Sequence, residues 1–119
     1  MSIWTHVVGN IRVDGLPKIT GTVEEIKAKL GKSCMFEDWV EGTPLPCGSE
    51  GSLQYQVIEY DTGMPWVTIP IWGDLRDYDD VEAIKKWWSD TLEKLGCIRD
   101  AVIHISVKGK EPIILSVDI

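Results

Sequence analysis

The sequence is poor in the residues that build thiolate and histidine metal sites. It has three cysteines and two histidines in 119 residues, and no C-x-x-C, H-x-x-x-H or H-E-x-x-H spacing occurs. A thiolate zinc site is therefore disfavoured, and so is a hydrolytic zinc centre unless carboxylates complete it. We expect no cofactor. A metal at His6 and His104, or a cysteine nucleophile beside one of them, is the weaker alternative to packed side chains.

Basic residues are also scarce. Twelve lysines and arginines stand against nineteen aspartates and glutamates, which gives a net charge of −7. Such a field repels phosphate backbones, so it disfavours general nucleic-acid binding and an anionic membrane surface. A basic groove on a partner protein remains possible, because an acidic surface can imitate the phosphates that such a groove binds.

Long apolar runs are absent as well. No run approaches the roughly 20 residues that a membrane span needs, and the opening MSIWTHVVGN lacks the basic and apolar regions of a signal peptide. These features predict a cytoplasmic protein with reduced thiols. The alternative for the thiols is a disulfide between Cys34 and Cys47.

The composition that is present, with 44% hydrophobic and 26% charged residues, is that of one globular domain spanning 1–119. Periodicity predicts strands at 3–13, 53–60, 66–72, 101–108 and 112–117, and helices at 22–30 and 79–95. This order, β-α-β-β-α-β with an extra C-terminal strand, predicts a ferredoxin-like α+β fold with both helices on one face of an antiparallel sheet. Residues 32–52 would be a long loop insertion.

Local signals support the two helices and complicate one strand. Thr22 with Glu25, and Asp79 with Glu82, match the spacing of capping boxes. Pro70 falls inside a predicted strand, although proline lacks the N–H that a sheet ladder uses. It therefore predicts either a bulge or a different strand order.

If both helices cover one face, alternate strand residues point to the other. That open face would carry three tryptophans, two histidines and several polar residues, a composition that indicates a ligand platform or an oligomer interface. The alternative is a second core covered by the insertion or the last strand. The residues concerned are Trp4, His6, Asn10, Arg12, Trp66, Thr68, Trp72, Val102, His104 and Ser106.

The segment GSEGS, residues 48–52, precedes a predicted strand. Its amides could form an anion nest, to which Ser49 and Ser52 would add hydroxyls. It lacks the lysine and the following helix of a phosphate-binding loop, and Glu50 would repel a phosphate. We therefore favour a mobile hinge over an anion cradle, and retain both serines as candidate ligand-binding residues.

Four aspartates surround Arg76 in WGDLRDYDD, residues 72–80. Asp74 and Asp77 are weak candidates for a magnesium site, since magnesium prefers carboxylate oxygens. Capping of the following helix accounts for Asp79 and Asp80 without a metal.

The segments SIWTHVVGNIRVDG, PCGSEGSLQY and IWGDLRDYDDVEAI together resemble small uncharacterised proteins of bacteriophages and prophages. The resemblance implies a binding protein rather than an enzyme: an inhibitor of a host or defence protein, or a sponge for a small nucleotide-like ligand. The alternatives are a small metal-dependent phosphoesterase acting on nucleotides and a self-assembling structural accessory protein.

Overall fold

The computed structural model describes residues 3–14, 23–31, 45–59 and 66–118. They form an α+β fold with one antiparallel sheet and two helices, as predicted. The elements are β1 (Trp4–Asp14), α1 (Val23–Leu30), β2 (Gln54–Tyr55), β3 (Ile58–Glu59), β4 (Trp66–Arg76), α2 (Val81–Leu95), β5 (Ile98–Val107) and β6 (Ile113–Asp118). Thr22, the proposed cap of the first helix, and positions 32–44 of the predicted insertion lie outside the described residues.

The first strand runs through the middle of the sheet. The strand order is β2-β4-β1-β5-β6, with β3 also paired with β4, and every pairing is antiparallel. β1 pairs with β4 along its whole length and with β5 from Thr5 to Val13. The first and fourth predicted strands are therefore neighbours, as expected.

One face of the sheet carries the hydrophobic core. Alternate residues of the three long strands point to this face and are almost fully buried, as the strand period of two requires. Both helices contribute to the same cluster, so both cover the same face. Its members include Val7, Ile11, Ile26, Leu30, Ile69, Ile71, Ile84, Trp88, Leu95, Ile103 and Ile105.

The caps of the helices are only partly as predicted. α2 is capped by Asp80, whose carboxylate accepts a hydrogen bond of 3.1 Å from the Ala83 N–H. The predicted capping box began one residue earlier, at Asp79; both aspartates suit the position chemically, and the backbone selects the second. At the end of α1, Gly31 adopts φ 103° and donates to the Lys27 carbonyl, as predicted.

Two side chains satisfy the last carbonyls around α1. The Tyr55 hydroxyl donates to the Gly31 carbonyl over 2.8 Å, and the Trp87 indole N–H donates to the Leu30 carbonyl over 3.3 Å. Burial, reinforced by the charge of Glu24, raises the pKa of Tyr55. These bonds fix α1 against both β2 and α2.

Pro70 does not cause a bulge in β4, the strand that contains it. It instead interrupts the neighbouring strand that was predicted at 53–60. The β1–β4 register passes through the Asn10–Pro70 pair without a shift. On the outer side, the Pro70 carbonyl accepts from the Gln56 N–H over 3.2 Å, so the proline nitrogen faces outward too. Pro70 has no N–H to donate, and it lies between the part of β4 that pairs with β2 and the part that pairs with β3. The strand predicted at 53–60 therefore forms as two short strands.

The cysteines differ in state. Cys47 is disulfide-bonded, contrary to the expectation of reduced thiols, whereas Cys97 is free and exposed. Cys34, the partner considered above, lies outside the described residues. Within the described ranges, neither helix has the length and hydropathy that a membrane crossing requires.

Candidate functional site on the open sheet face

The sheet face opposite the helices carries a row of exposed side chains that crosses four strands. Register places Trp72 of β4 beside Val8 of β1, Val8 beside His104 of β5, and His104 beside Ile114 of β6. Val8 is 63% exposed, Ile114 64% and Trp72 41%. We call these four residues the central row. The predicted alternative, in which this face is a second core, does not hold for them.

A cavity of about 480 Å³ lies on the same face, one residue pair beyond the central row. It opens to solvent and is lined by Trp4, His6, Asp74, Ser106 and Lys108. Register explains the grouping, because Asp74 and Ser106 are the cross-strand partners of His6 on either side. We call it the Trp4 pocket.

The centre of the Trp4 pocket is a histidine–aspartate pair. His6 Nδ1 lies 2.5 Å from Asp74 Oδ1, and both side chains are more than half exposed. The ring of Trp4 lies parallel to that of His6, within 4°, with 6.3 Å between their centroids. Asp74 thus fixes the imidazole by one nitrogen, and the pocket combines an aromatic surface with the ammonium group of Lys108.

Asp74, His6 and Ser106 lie side by side in the order of a catalytic triad, but the surroundings do not support acyl transfer. The N–H groups of β1 point along the sheet towards β4 and β5 and are used in the two ladders. They cannot form an oxyanion hole, which requires free donors aimed at the reacting carbonyl oxygen.

The opposite end of the face carries an ion pair. The Arg12 guanidinium bonds both oxygens of Asp100, with Nε at 3.0 Å and 2.9 Å from Oδ1 and Oδ2. This side-chain hydrogen bond, with the charge of Arg12, holds the pKa of Asp100 below its usual value. Arg12, a candidate ligand-binding residue, is therefore already engaged within the chain.

The two histidines are diagonal neighbours rather than direct partners. His104 lies opposite Val8, and His6 lies opposite Ser106 on the same pair of strands. His6 contacts Asp74 on the opposite neighbour instead. Trp66 begins β4, but its side chain lies outside the described residues.

The GSEGS segment is neither a hinge nor an anion cradle. The Ser49 N–H donates to the Arg76 carbonyl over 2.9 Å, and the Gly48 N–H donates to the Gly51 carbonyl over 3.0 Å. The Ser49 hydroxyl bonds Asp77 over 2.8 Å. Ser52 is buried and donates to the Leu53 carbonyl, so it has no free hydroxyl to offer a ligand at the surface.

The aspartates of residues 74–80 serve separate roles. Asp74 contacts His6, Asp77 accepts from Ser49, and Asp80 caps α2. Within the part of the chain that is described, no three histidine, cysteine, aspartate or glutamate side chains are grouped to hold a metal ion. The carboxylates of Asp74 and Asp77 therefore act with different partners rather than as one ligand set.

Sequence reasoning missed Val8, Ile114 and Lys108. Val8 shares the parity of Trp4 and His6, and strict counting in twos would have placed it on this face. Lys108 likewise shares the parity of His104 and Ser106 at the end of the predicted strand, whereas Ile114 depends on the pairing of β5 with β6, which no local pattern gives. No protein-family model, curated protein or solved structure matches the chain, so the resemblance to phage proteins stays a prediction.

Proposed function

We propose that this chain is a non-enzymatic phage-type binding protein that sequesters a small, anionic, nucleotide-like ligand in the Trp4 pocket. The cavity itself carries the proposal. Its volume of about 480 Å³ lies within the range of roughly 300–1,000 Å³ that small-molecule sites occupy. The position of the third and fourth predicted strands on either side of the first supports a ferredoxin-like assignment, with β6 as an added edge strand.

The lining residues support the ligand class. The exposed face of the Trp4 indole offers a stacking surface, and stacking accepts any planar base. Lys108 supplies a cation within the same cavity, and the His6 nitrogen that Asp74 leaves free can bond a phosphate or carbonyl oxygen. The negative charge of Asp74 offsets part of the positive charge of Lys108. The pocket therefore suits a small anion better than a polyanion.

Titration calorimetry with AMP and GMP tests the proposal, with inorganic phosphate as the control for binding without a base. We expect Trp4→Ala to raise Kd about 5- to 100-fold, because stacking on an aromatic side chain contributes ~1–3 kcal/mol per base. Lys108→Gln should raise it about 10- to 100-fold, because a hydrogen bond to a charged group contributes ~1.5–3 kcal/mol.

A matched control uses a residue outside the pocket. Lys110→Gln removes an exposed lysine two residues along the chain from Lys108 and should leave Kd unchanged. Mass spectrometry of small molecules released from the purified protein adds an unbiased readout. Absence of nucleotide binding at millimolar concentration, with no released ligand, would contradict the proposal.

The same nucleotides, incubated with and without EDTA, separate binding from catalysis. We expect them to be recovered unchanged in both cases. Metal-dependent turnover that disappears in Asp74→Asn would assign the chain to the phosphoesterase alternative instead.

A further inference from the structure

The central row and the residue beside it form an exposed apolar patch on the open face of the sheet. Val8 and Ile114 are each more than 60% exposed, and Val102 beside them is 43% exposed. They lie on three adjacent strands, so the exposed groups are contiguous rather than scattered. Contiguous apolar patches of this kind mark interaction surfaces.

The charge distribution favours a second copy of this chain as the occupant. Among the described side chains, the open face carries three cations (Arg12, Arg76 and Lys108), two anions (Asp74 and Asp100) and the two carboxylates paired with Arg76 (Glu50 and Asp77), which sums to −1. The whole chain carries −7. Most of the acidity therefore lies elsewhere, and two such faces can approach with little mutual repulsion.

The available area fits a modest dimer. Four strands at about 4.8 Å spacing, over nine residues at about 3.3 Å each, give a face of about 600 Å². Two such faces bury about 1,200 Å² in total, at the lower end of specific interfaces. The Arg12–Asp100 and His6–Asp74 pairs flank the central row, so each of these four side chains keeps a partner within its own chain.

We propose that the protein forms a symmetric homodimer in which the central rows of two copies pack back to back. Each copy contributes the same patch, as a two-fold interface requires. The sheets would stack about 10 Å apart, with Trp72, Val8 and Ile114 filling the space between them. This inference rests on the central row. Because the nine-residue face also includes the Trp4 pocket, the dimer would cover that pocket, and dimerisation and ligand binding would compete.

Sedimentation velocity of the full chain without ligand, between about 1 and 200 µM, tests the dimer. The wild-type chain of 13.4 kDa should sediment as a dimer across the upper part of this range. Val8→Glu and Ile114→Glu should each shift it to monomer, because each would place two carboxylates in an apolar interface.

Val117→Glu is the matched control. Val117 lies on β6 opposite Ala101, on the helix side of the sheet, and is 40% exposed. This variant should remain dimeric, and circular dichroism melts should show that all three variants fold.

Three outcomes overturn the proposal. One is a wild-type chain that stays monomeric throughout the range. Another is a dimer that survives both central-row variants, which would place the contact at another surface. The third is a monomer whose central row instead binds a different protein with defined stoichiometry. These outcomes concern the oligomeric state of the ligand-free chain, whereas the proposed function is tested by nucleotide titration, so the failure of one proposal is distinguishable from the failure of the other.

Discussion

Gly51 holds the GSEGS turn against β4. A Cβ at this position would lie 1.9 Å from the Asp74 carbonyl oxygen, and the residue adopts φ +81°. Gly48 is similarly close to the backbone of Arg76, at 2.1 Å. Gly48 and Gly51 suggested a flexible hinge in the sequence. In the structure they are required because only glycine permits this close approach of two backbones.

Gly51→Ala should therefore be strongly destabilising. Left-handed backbone alone costs alanine about 1–2 kcal/mol, and the clash adds to it, so we expect a loss of at least ~2 kcal/mol in the free energy of unfolding, measured in urea. Gly109→Ala is the matched control, since Gly109 has φ +83° but a Cβ there would meet nothing within 4 Å. Equal losses in the two variants would contradict the role given to the contact.

The start of α2 depends on which of two neighbouring aspartates, Asp79 or Asp80, caps the helix. α2 carries its buried stripe at helical spacing, and this stripe alone identified the helix. Its first residue is less well determined, because Asp79 and Asp80 are both good caps and propensity does not choose between them.

We expect Asp80→Ala to lower stability by about 0.5–2 kcal/mol, the usual value of an N-cap. Asp79→Ala should change it by only a few tenths, since Asp80 makes the hydrogen bond to Ala83. Thermal or urea unfolding of the two variants measures the difference. The reverse order would restore the capping box predicted from the sequence.

Local sequence patterns predicted some elements correctly, whereas features that depend on tertiary contacts were not predictable from them. The alternation of β1 and the stripe of α2 are local, and both were predictable. β4 continues four residues past the predicted end at Trp72, because residues 73–76 pair with residues 4–7 of β1. That reason is tertiary. The contact between His6 and Asp74 likewise needs the β1–β4 register, which joins residues 68 positions apart.

At the scale of the molecule, the sheet is strongest at its centre. β1 is bonded on both sides along most of its length, whereas β2 and β3 have two residues each and β6 pairs on one side within the described sheet. Stability therefore decreases from the centre to the edges.

Amide hydrogen exchange followed by mass spectrometry should reproduce this gradient. We expect peptides covering residues 4–14 to exchange most slowly, those covering 113–118 faster, and those covering 54–59 fastest of the strands, because a doubly bonded strand opens only with the whole sheet. Equal protection in all three regions would be inconsistent with β1 as the central strand.

The central position of β1 also affects how the sheet is made. The ribosome synthesises this strand before the others of the described sheet, yet its partner β5 spans Ile98–Val107 and follows much later. Until those residues emerge, Thr5 has no Val107 to pair with, and one edge of β1 stays unsatisfied. Such distant pairing slows folding and leaves edges open to other chains. β1 is thus paired on both sides only after β5 has been translated, and until then the nascent strand keeps an edge that another chain could pair with.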